Sequence, residues 1–311
     1  MKAAQINEFG DNSVITIQEA DKPTVSAGQV LIEVHAASLN PVDSGIRSGY
    51  LQEMAPVQLP VTLGGDIAGV VVEVAEDVDD FTVGDKVYGQ SAAIFGVSGA
   101  FAEFANANVG QIAKIPSNLD FQQAASLPLT ASSAVQALVH HAELKEGQKV
   151  FIHGGTGGVG SIAIQVAKAL GAYVATTATA EGIEQVKKLG ADEVIDYKIE
   201  DFTNKLSGYD VVLNNVLGEF DKTLSILKAG AVAVSLTGPA DEALVEKLGI
   251  TTVAQFTQVS GEILNTLNDM LEAGKVTPQV SRVYSLDDVA KAFEDRENNS
   301  IRGKVVIAVK R

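Results

Sequence analysis

Five glycines crowd residues 154–160, in the segment HGGTGGVG, and their spacing points to chemistry more directly than any other feature of the chain. The apolar run Val150–His153 before them has strand length. After them, Ile162, Ile164, Val166, Ala167 and Leu170 recur at helical spacing up to Gly171. A strand, a tight glycine turn and a helix start form the first half of a unit that holds dinucleotides. In that reading Gly155 permits the sharp turn out of the strand. Gly157 lets the backbone approach a pyrophosphate, and Gly160 lets the helix lie close to the sheet. The N–H groups around Gly155, Gly157, Gly158, Val159 and Gly160, with the positive end of the helix dipole, then offer an anion site. A second strand-like run, Tyr173–Thr177, completes the span that a βαβ unit needs.

Few other residues suggest a reactive centre. The chain has no cysteine, which removes disulfides, thiolate nucleophiles and Cys-ligated zinc. Its four histidines form no metal constellation: His140 and His141 are neighbours on a predicted helix and face different ways, while His35 and His153 belong to strands. No serine stands in a nucleophile-elbow context, which argues against a Ser-His hydrolase. A net charge of −16 repels phosphate backbones and speaks against nucleic-acid binding. A dinucleotide is still admissible, because backbone N–H groups act at short range. No stretch is apolar enough for a membrane span, and the N-terminal MKAAQINEFG has no apolar signal core, so a cytoplasmic protein is expected.

The elements that must position the glycine turn follow from periodicity. Up to about residue 120 the chain is β-rich, with strand-length runs at Lys2–Ile6, Val14–Gln18, Gln29–Ala36, Gly69–Val74, Lys86–Tyr88 and Phe101–Ala105. Residues 121–144 turn helical, and strands and helices then alternate through Ala231–Leu236, which indicates a doubly wound parallel sheet. A helix at Gly261–Glu272 precedes a return to β character at Ser281–Tyr284 and Lys304–Val309. The expected architecture is α/β, with a cofactor domain at 122–265 inserted into a discontinuous catalytic domain at 1–121 and 266–311.

Seven blocks in register extend the reading along the chain: SLNPVDSGIRSGY at 38–50, LPVTLGGDIAGVVVEV at 59–74, VGDKVYG at 83–89, LPLTASSAVQAL at 127–138, the glycine turn, LGADEVIDY at 189–197 and RGKVVIAV at 302–309. Together they resemble the zinc-independent medium-chain dehydrogenases/reductases of the quinone oxidoreductase (zeta-crystallin-like) group. The resemblance implies a GroES-like β domain plus a Rossmann domain, and NADPH-dependent reduction of a quinone or an activated C=C bond. Where zinc-dependent relatives carry a Cys and a His for the catalytic metal, this chain has Asn40 and Gly65, and no metal ligand is expected.

The resemblance also implies site residues. Asn40 is the first choice for a substrate contact, its amide donating to an oxygen on which charge develops; the alternative is a turn cap before Pro41. Asp43 orients that loop or caps a helix, Tyr50 lines the pocket as a proton donor or is an exposed loop tyrosine, and Asp66 ties the Asn40 loop to the sheet. Thr130 lies beside the nicotinamide or is a first-turn helix residue, and Asn215 and Val216, at a strand end, stand where the family's carbonyl contacts to the nicotinamide lie. The second strand closes on Thr176-Thr177-Ala178-Thr179, without the carboxylate that marks an NAD site, which favours NADPH. Thr177, Thr179, Tyr197 and Arg302 are the remaining cofactor contacts, while Gly182 stands where relatives often have a lysine. Gly45, where relatives often have a tyrosine, reshapes the substrate pocket. A homodimer through edge strands near Ala231–Leu236 is expected. The rival functions are an NADPH-dependent enal or enone reductase and, from another class, a non-enzymatic NADPH-binding or structural protein.

Overall fold

The computed structural model describes residues 1–298 and 303–310; Arg302 lies outside the described residues. The chain divides into two compact units. The first comprises Met1–Leu129, Val259–Asn268 and the chain from Pro278 onward, and the second Thr130–Gln258 and Asp269–Thr277.

In the first unit the main sheet runs in the order Val280–Ser285, Lys304–Ala308, Gln29–Leu39, Asp66–Val74, Lys86–Gln90 and Ile112–Lys114, with Phe104–Asn108 also pairing Gln29–Leu39. The long strand Gln29–Leu39 is buried almost throughout, as its near-continuous apolar sequence requires of a strand covered on both faces. In its register Ser38 lies opposite Asp66, and Leu39 opposite Val305. The starts of two strands thus meet the end of a third just before Asn40. Ile6, Ile32, Ile67, Phe101 and Phe293 anchor the core beneath, with the two phenylalanine rings edge to face at 6.3 Å.

The second unit holds six strands, all paired in parallel, in the order Glu193–Asp196, Tyr173–Ala178, Lys149–His153, Tyr209–Asn214, Leu227–Ser235 and Thr251–Ala254. The order reverses between Lys149–His153 and Tyr209–Asn214, and open sheets of this kind hold ligands outside the carboxyl ends of the strands at such a reversal. Among the described residues no helix is long and apolar enough to cross a membrane.

Several expectations shift. The strand expected at Phe101–Ala105 runs instead from Phe104 to Asn108, because Phe101 and Ala102 are taken up by the first strand: the Ala4 N–H donates to the Phe101 carbonyl at 2.8 Å, and Ala3 bridges Ala102. The helical stretch from residue 121 is three pieces, Phe121–Ala125, Pro128–Val135 and a π-turn at Gln136–His141; Pro128, which has no N–H, starts the second. Ala231–Leu236 is corrected as a dimer edge. That segment belongs to Leu227–Ser235, which is paired on both sides, and the sheet ends at Thr251–Ala254, a short strand the sequence reading passed over.

Candidate functional site

The glycine turn sits at the reversal of strand order, and each glycine answers a different constraint. Gly154, not Gly155, takes the left-handed conformation that turns the chain, with φ +87°. Gly155 is small for another reason: a Cβ there would lie 2.2 Å from Thr176 Oγ1. Gly160 has no room at all, since its Cβ would meet the Gly154 carbonyl oxygen at 2.2 Å. A Cβ on Gly157, by contrast, would meet nothing closer than that same oxygen at 3.4 Å. The fold therefore tolerates a side chain at 157, and glycine there leaves the backbone bare toward the outside.

Thr177 locks the turn. Its hydroxyl accepts from the Gly154 N–H at 2.9 Å, and its carbonyl accepts from the Gly155 N–H at 3.1 Å. The helix Gly158–Ala169 then starts at Gly157 with no side-chain cap, so the first-turn N–H groups of Gly158, Val159 and Gly160 are left for an external acceptor. A dinucleotide diphosphate fits this cradle.

The neighbouring strand ends bring more residues to the same edge. Thr179 follows Tyr173–Ala178, its hydroxyl 3.0 Å from Glu181 Oε2. Tyr197, half-exposed, takes the Lys198 ammonium over its ring at 5.1 Å, and its N–H reaches the Ala178 carbonyl at 3.3 Å. Gly182 lacks room for the usual lysine, because a Cβ would lie 2.5 Å from Thr156 Cγ2. Asn215 and Val216 follow Tyr209–Asn214. The Val216 carbonyl accepts from Asn214 Nδ2 at 3.1 Å, which fixes the loop, whereas neither polar atom of the buried Asn215 amide has a partner among the described residues. Thr130 is buried in the first turn of Pro128–Val135.

In the first unit the structure gathers Asn40 and Asp43 but not Tyr50. Asn40, 2% exposed, precedes the helix Pro41–Arg47, and Asp43 turns its carboxylate back to accept the Asn40 N–H at 2.7 Å. Asn40 Nδ2 donates to Asp66 Oδ2 at 2.8 Å, and Lys304 Nζ donates to Asn40 Oδ1 at 2.7 Å and to Asp66 Oδ2 at 3.1 Å. Ser38 Oγ and the Leu129 N–H complete the bonding of Asp66. The amide orientation follows from chemistry: an ammonium only donates and a carboxylate only accepts, so Oδ1 faces Lys304 and Nδ2 faces Asp66. Tyr50 stands 84% exposed on a turn and contributes nothing to this network.

Burial dominates the electrostatics here. Asp43 is enclosed, and desolvation, helped by the nearby Asp66 charge, raises its carboxyl to about 7 against the pull of the Asn40 N–H, Lys304 and Arg296. Its Oδ1 has no hydrogen-bond partner. Desolvation likewise lowers Lys304, and the Asp66 carboxylate opposes that shift. Sequence reasoning missed Lys304 as a member of this cluster. Its signal was a lysine opening the apolar run KVVIAV, a strand whose burial obliges that lysine to find partners.

Comparison with known proteins fits this geometry. The family model described as "Zinc-binding dehydrogenase" matches residues 189–307, and that described as "Alcohol dehydrogenase GroES-like domain" matches 26–117. The NADPH-dependent alkenal/one oxidoreductase of Arabidopsis thaliana is 37% identical, over 99% of this chain and 79% of that protein. The chain belongs to the medium-chain dehydrogenase/reductase family, in its zinc-independent, quinone oxidoreductase-like branch. Within that family, the quinone oxidoreductase structure from Coxiella burnetii superposes with a TM-score of 0.90 at 35% identity, covering 100% of this chain and 99% of that one. The Escherichia coli quinone oxidoreductase complexed with NADPH gives 0.89 at 26% identity, over 99% and 100%. The metal in the first family model's description does not fit this chain's donors: Asn40 has both ends of its amide engaged, Gly65 has no side chain, and cysteine is absent.

Proposed function

We propose that the chain is an NADPH-dependent oxidoreductase that reduces quinones by hydride transfer without zinc. The observation that carries this reading is the uncapped, glycine-lined helix start at the reversal of the parallel sheet. The second unit, near the expected 122–265, takes the cofactor, and the first, near 1–121 and 266–311, the electron acceptor. When bound, the nicotinamide supplies the hydride. The N–H groups of Gly158, Val159 and Gly160 hold the diphosphate, and Thr177 keeps the turn in shape. Gly155, Thr130, Thr179, Tyr197, Asn215 and Val216 complete the cofactor set. Asn40 has one Nδ2 hydrogen bonded to Asp66; the other serves the acceptor oxygen as negative charge grows on it. Lys304 and Asp66 hold that amide in place, and Asp43 holds its backbone.

An enal or enone reductase is the second reading, favoured by the Arabidopsis relative's name. It needs a proton at the α-carbon, from Tyr50 or from water. Side-by-side assays with NADPH separate the two. Faster turnover of 9,10-phenanthrenequinone than of 2-alkenals supports quinone reduction, and the opposite ranking selects the second. Turnover of simple alcohols with NAD, abolished by a chelator, would reject both. The proposed setting is a cytoplasmic homodimer.

A further inference from the structure

Hydride transfer from NADPH leaves an oxyanion on the acceptor, a hydroquinone anion or an enolate, and that oxygen needs a proton. One buried carboxyl in the first unit has the geometry to supply it. Asp43 is 1% exposed, and its two oxygens differ. Oδ2 accepts the Asn40 N–H at 2.7 Å, whereas Oδ1 has no hydrogen-bond partner among the described residues. A buried carboxyl oxygen left this way costs stability, and native proteins seldom keep one without a use. The bonding also places the proton. An oxygen that faces an N–H must offer a lone pair, so in the protonated carboxyl the hydrogen sits on Oδ1. What Oδ1 faces is Gly65. A Cβ on Gly65 would have only the Ala92 Cβ, at 3.7 Å, and Asp43 Oδ1, at 3.9 Å, within 4 Å. The Gly65 backbone is not left-handed, so the fold does not ask for glycine there, and the missing side chain leaves room before Oδ1. Ser38 lies opposite Asp66 in an antiparallel pair, which brings Gly65 beside Leu39 and Asn40. The room therefore adjoins the amide that serves the acceptor oxygen.

We propose that Asp43 is the proton donor of the reaction, its Oδ1–H passing a proton, through one water in the space at Gly65, to the oxyanion that Asn40 serves. The O–H bond of the carboxyl breaks, an O–H bond forms on the reduced acceptor, and the carboxylate left behind regains its proton from solvent. A hydroquinone leaves as such; an enol reverts to the carbonyl in water. The surroundings of Asp43 admit both of its states. Burial is the largest influence and raises the carboxyl, and Asp66, opening the strand Asp66–Val74, adds to that. The Asn40 N–H, Lys304 from the strand Lys304–Ala308 and Arg296 from the helix Val289–Glu297 favour the carboxylate. The balance, about 7, keeps a proton available near neutral pH and lies well below the ~10 of a phenol, so transfer to a hydroquinone anion runs downhill. The inference rests on the functional reading above and adds the source of the proton.

The test follows kcat between pH 5 and 9 with NADPH and 9,10-phenanthrenequinone, or a 2-alkenal should that rank higher, for wild type, Asp43→Asn and Gly65→Ala. Asp43→Asn keeps an acceptor for the Asn40 N–H but has no acidic proton. Gly65→Ala keeps the carboxyl and fills the space before it. In wild type, kcat is expected to fall as pH rises through about 7. Asp43→Asn is expected to lower kcat at pH 6 by roughly a hundredfold, with a flat pH profile and a nearly unchanged KM for the acceptor. Gly65→Ala is expected to lower kcat as well, and it carries the test should Asp43→Asn not fold. Asp43→Asn that keeps wild-type rates, or that loses rate but keeps the wild-type pH midpoint, overturns the inference. So does a rise in KM without a fall in kcat, which would mark Asp43 as a holder of the Asn40 backbone alone, and so does undiminished kcat in Gly65→Ala. Wild-type protein that turns over neither 9,10-phenanthrenequinone nor 2-alkenals with NADPH would instead overturn the functional reading, and this inference with it.

Discussion

At the scale of single residues, the cluster around Asn40 shows how little of a site lies in one side chain. Asn40 was legible from its block, but a lone asparagine has two ends, and only Lys304 and Asp66 decide which way the amide is turned. Lys304 arrives from 264 residues away, so no local pattern could have paired the two. Tyr50 left two readings open, pocket residue or exposed loop tyrosine, because burial depends on the whole surface around a turn; it stands 84% exposed. Asp43 yields a prediction with a sign. Its folded-state carboxyl is raised from 3.8 to about 7, so the stability linked to its protonated form is complete below about pH 4 and is lost as pH rises through about 7. That loss is on the order of 4 kcal/mol if uncompensated. Asp43→Asn keeps an acceptor for the Asn40 N–H and cannot ionise. The melting temperature of the variant, measured relative to wild type between pH 5 and 9, is expected to climb with pH; a flat difference would contradict the assignment.

At the scale of elements, the turn and its helix were the most legible part, because glycine spacing and helical periodicity are local signals. The individual glycine roles were not, since they depend on what lies opposite: Thr176 crowds Gly155 from the next strand, and the left-handed residue is Gly154. This gives a paired prediction. Gly160→Ala forces a methyl group against the Gly154 carbonyl and is expected to destabilise the protein by about 1–3 kcal/mol, with a lower melting temperature as the readout. Gly157→Ala has φ −73° and room within the chain, so its melting temperature should stay near wild type while NADPH affinity falls. If Gly157→Ala binds NADPH as well as wild type does, the cradle does not hold the diphosphate. The short strand Thr251–Ala254 escaped notice because four residues carry too little periodicity to stand out.

For the whole molecule, the seven blocks made the family legible because they recur in order along the chain, whereas the sheet edges were not, since strand order is a non-local property. The second unit's sheet has two edges. Glu193–Asp196 carries carboxylates at both ends, while Thr251–Ala254 is uncharged and so better suited to pair with its own copy. Light scattering is expected to give twice the 32.4 kDa chain mass, and the double variant Thr251→Lys, Ala254→Lys, which sets like charges across that pairing, is expected to give single copies. A wild-type monomer would refute the dimer. The proposed chemistry is a metal-free hydride transfer from NADPH held on main-chain amides. Its most direct test is kcat/KM with 9,10-phenanthrenequinone, measured for NADPH and NADH on protein exhaustively treated with chelator. Undiminished turnover with a clear preference for NADPH is expected; activity that vanishes on chelation and returns with zinc, or that is equal or higher with NADH, would mean that a metal or the other cofactor serves the reaction instead.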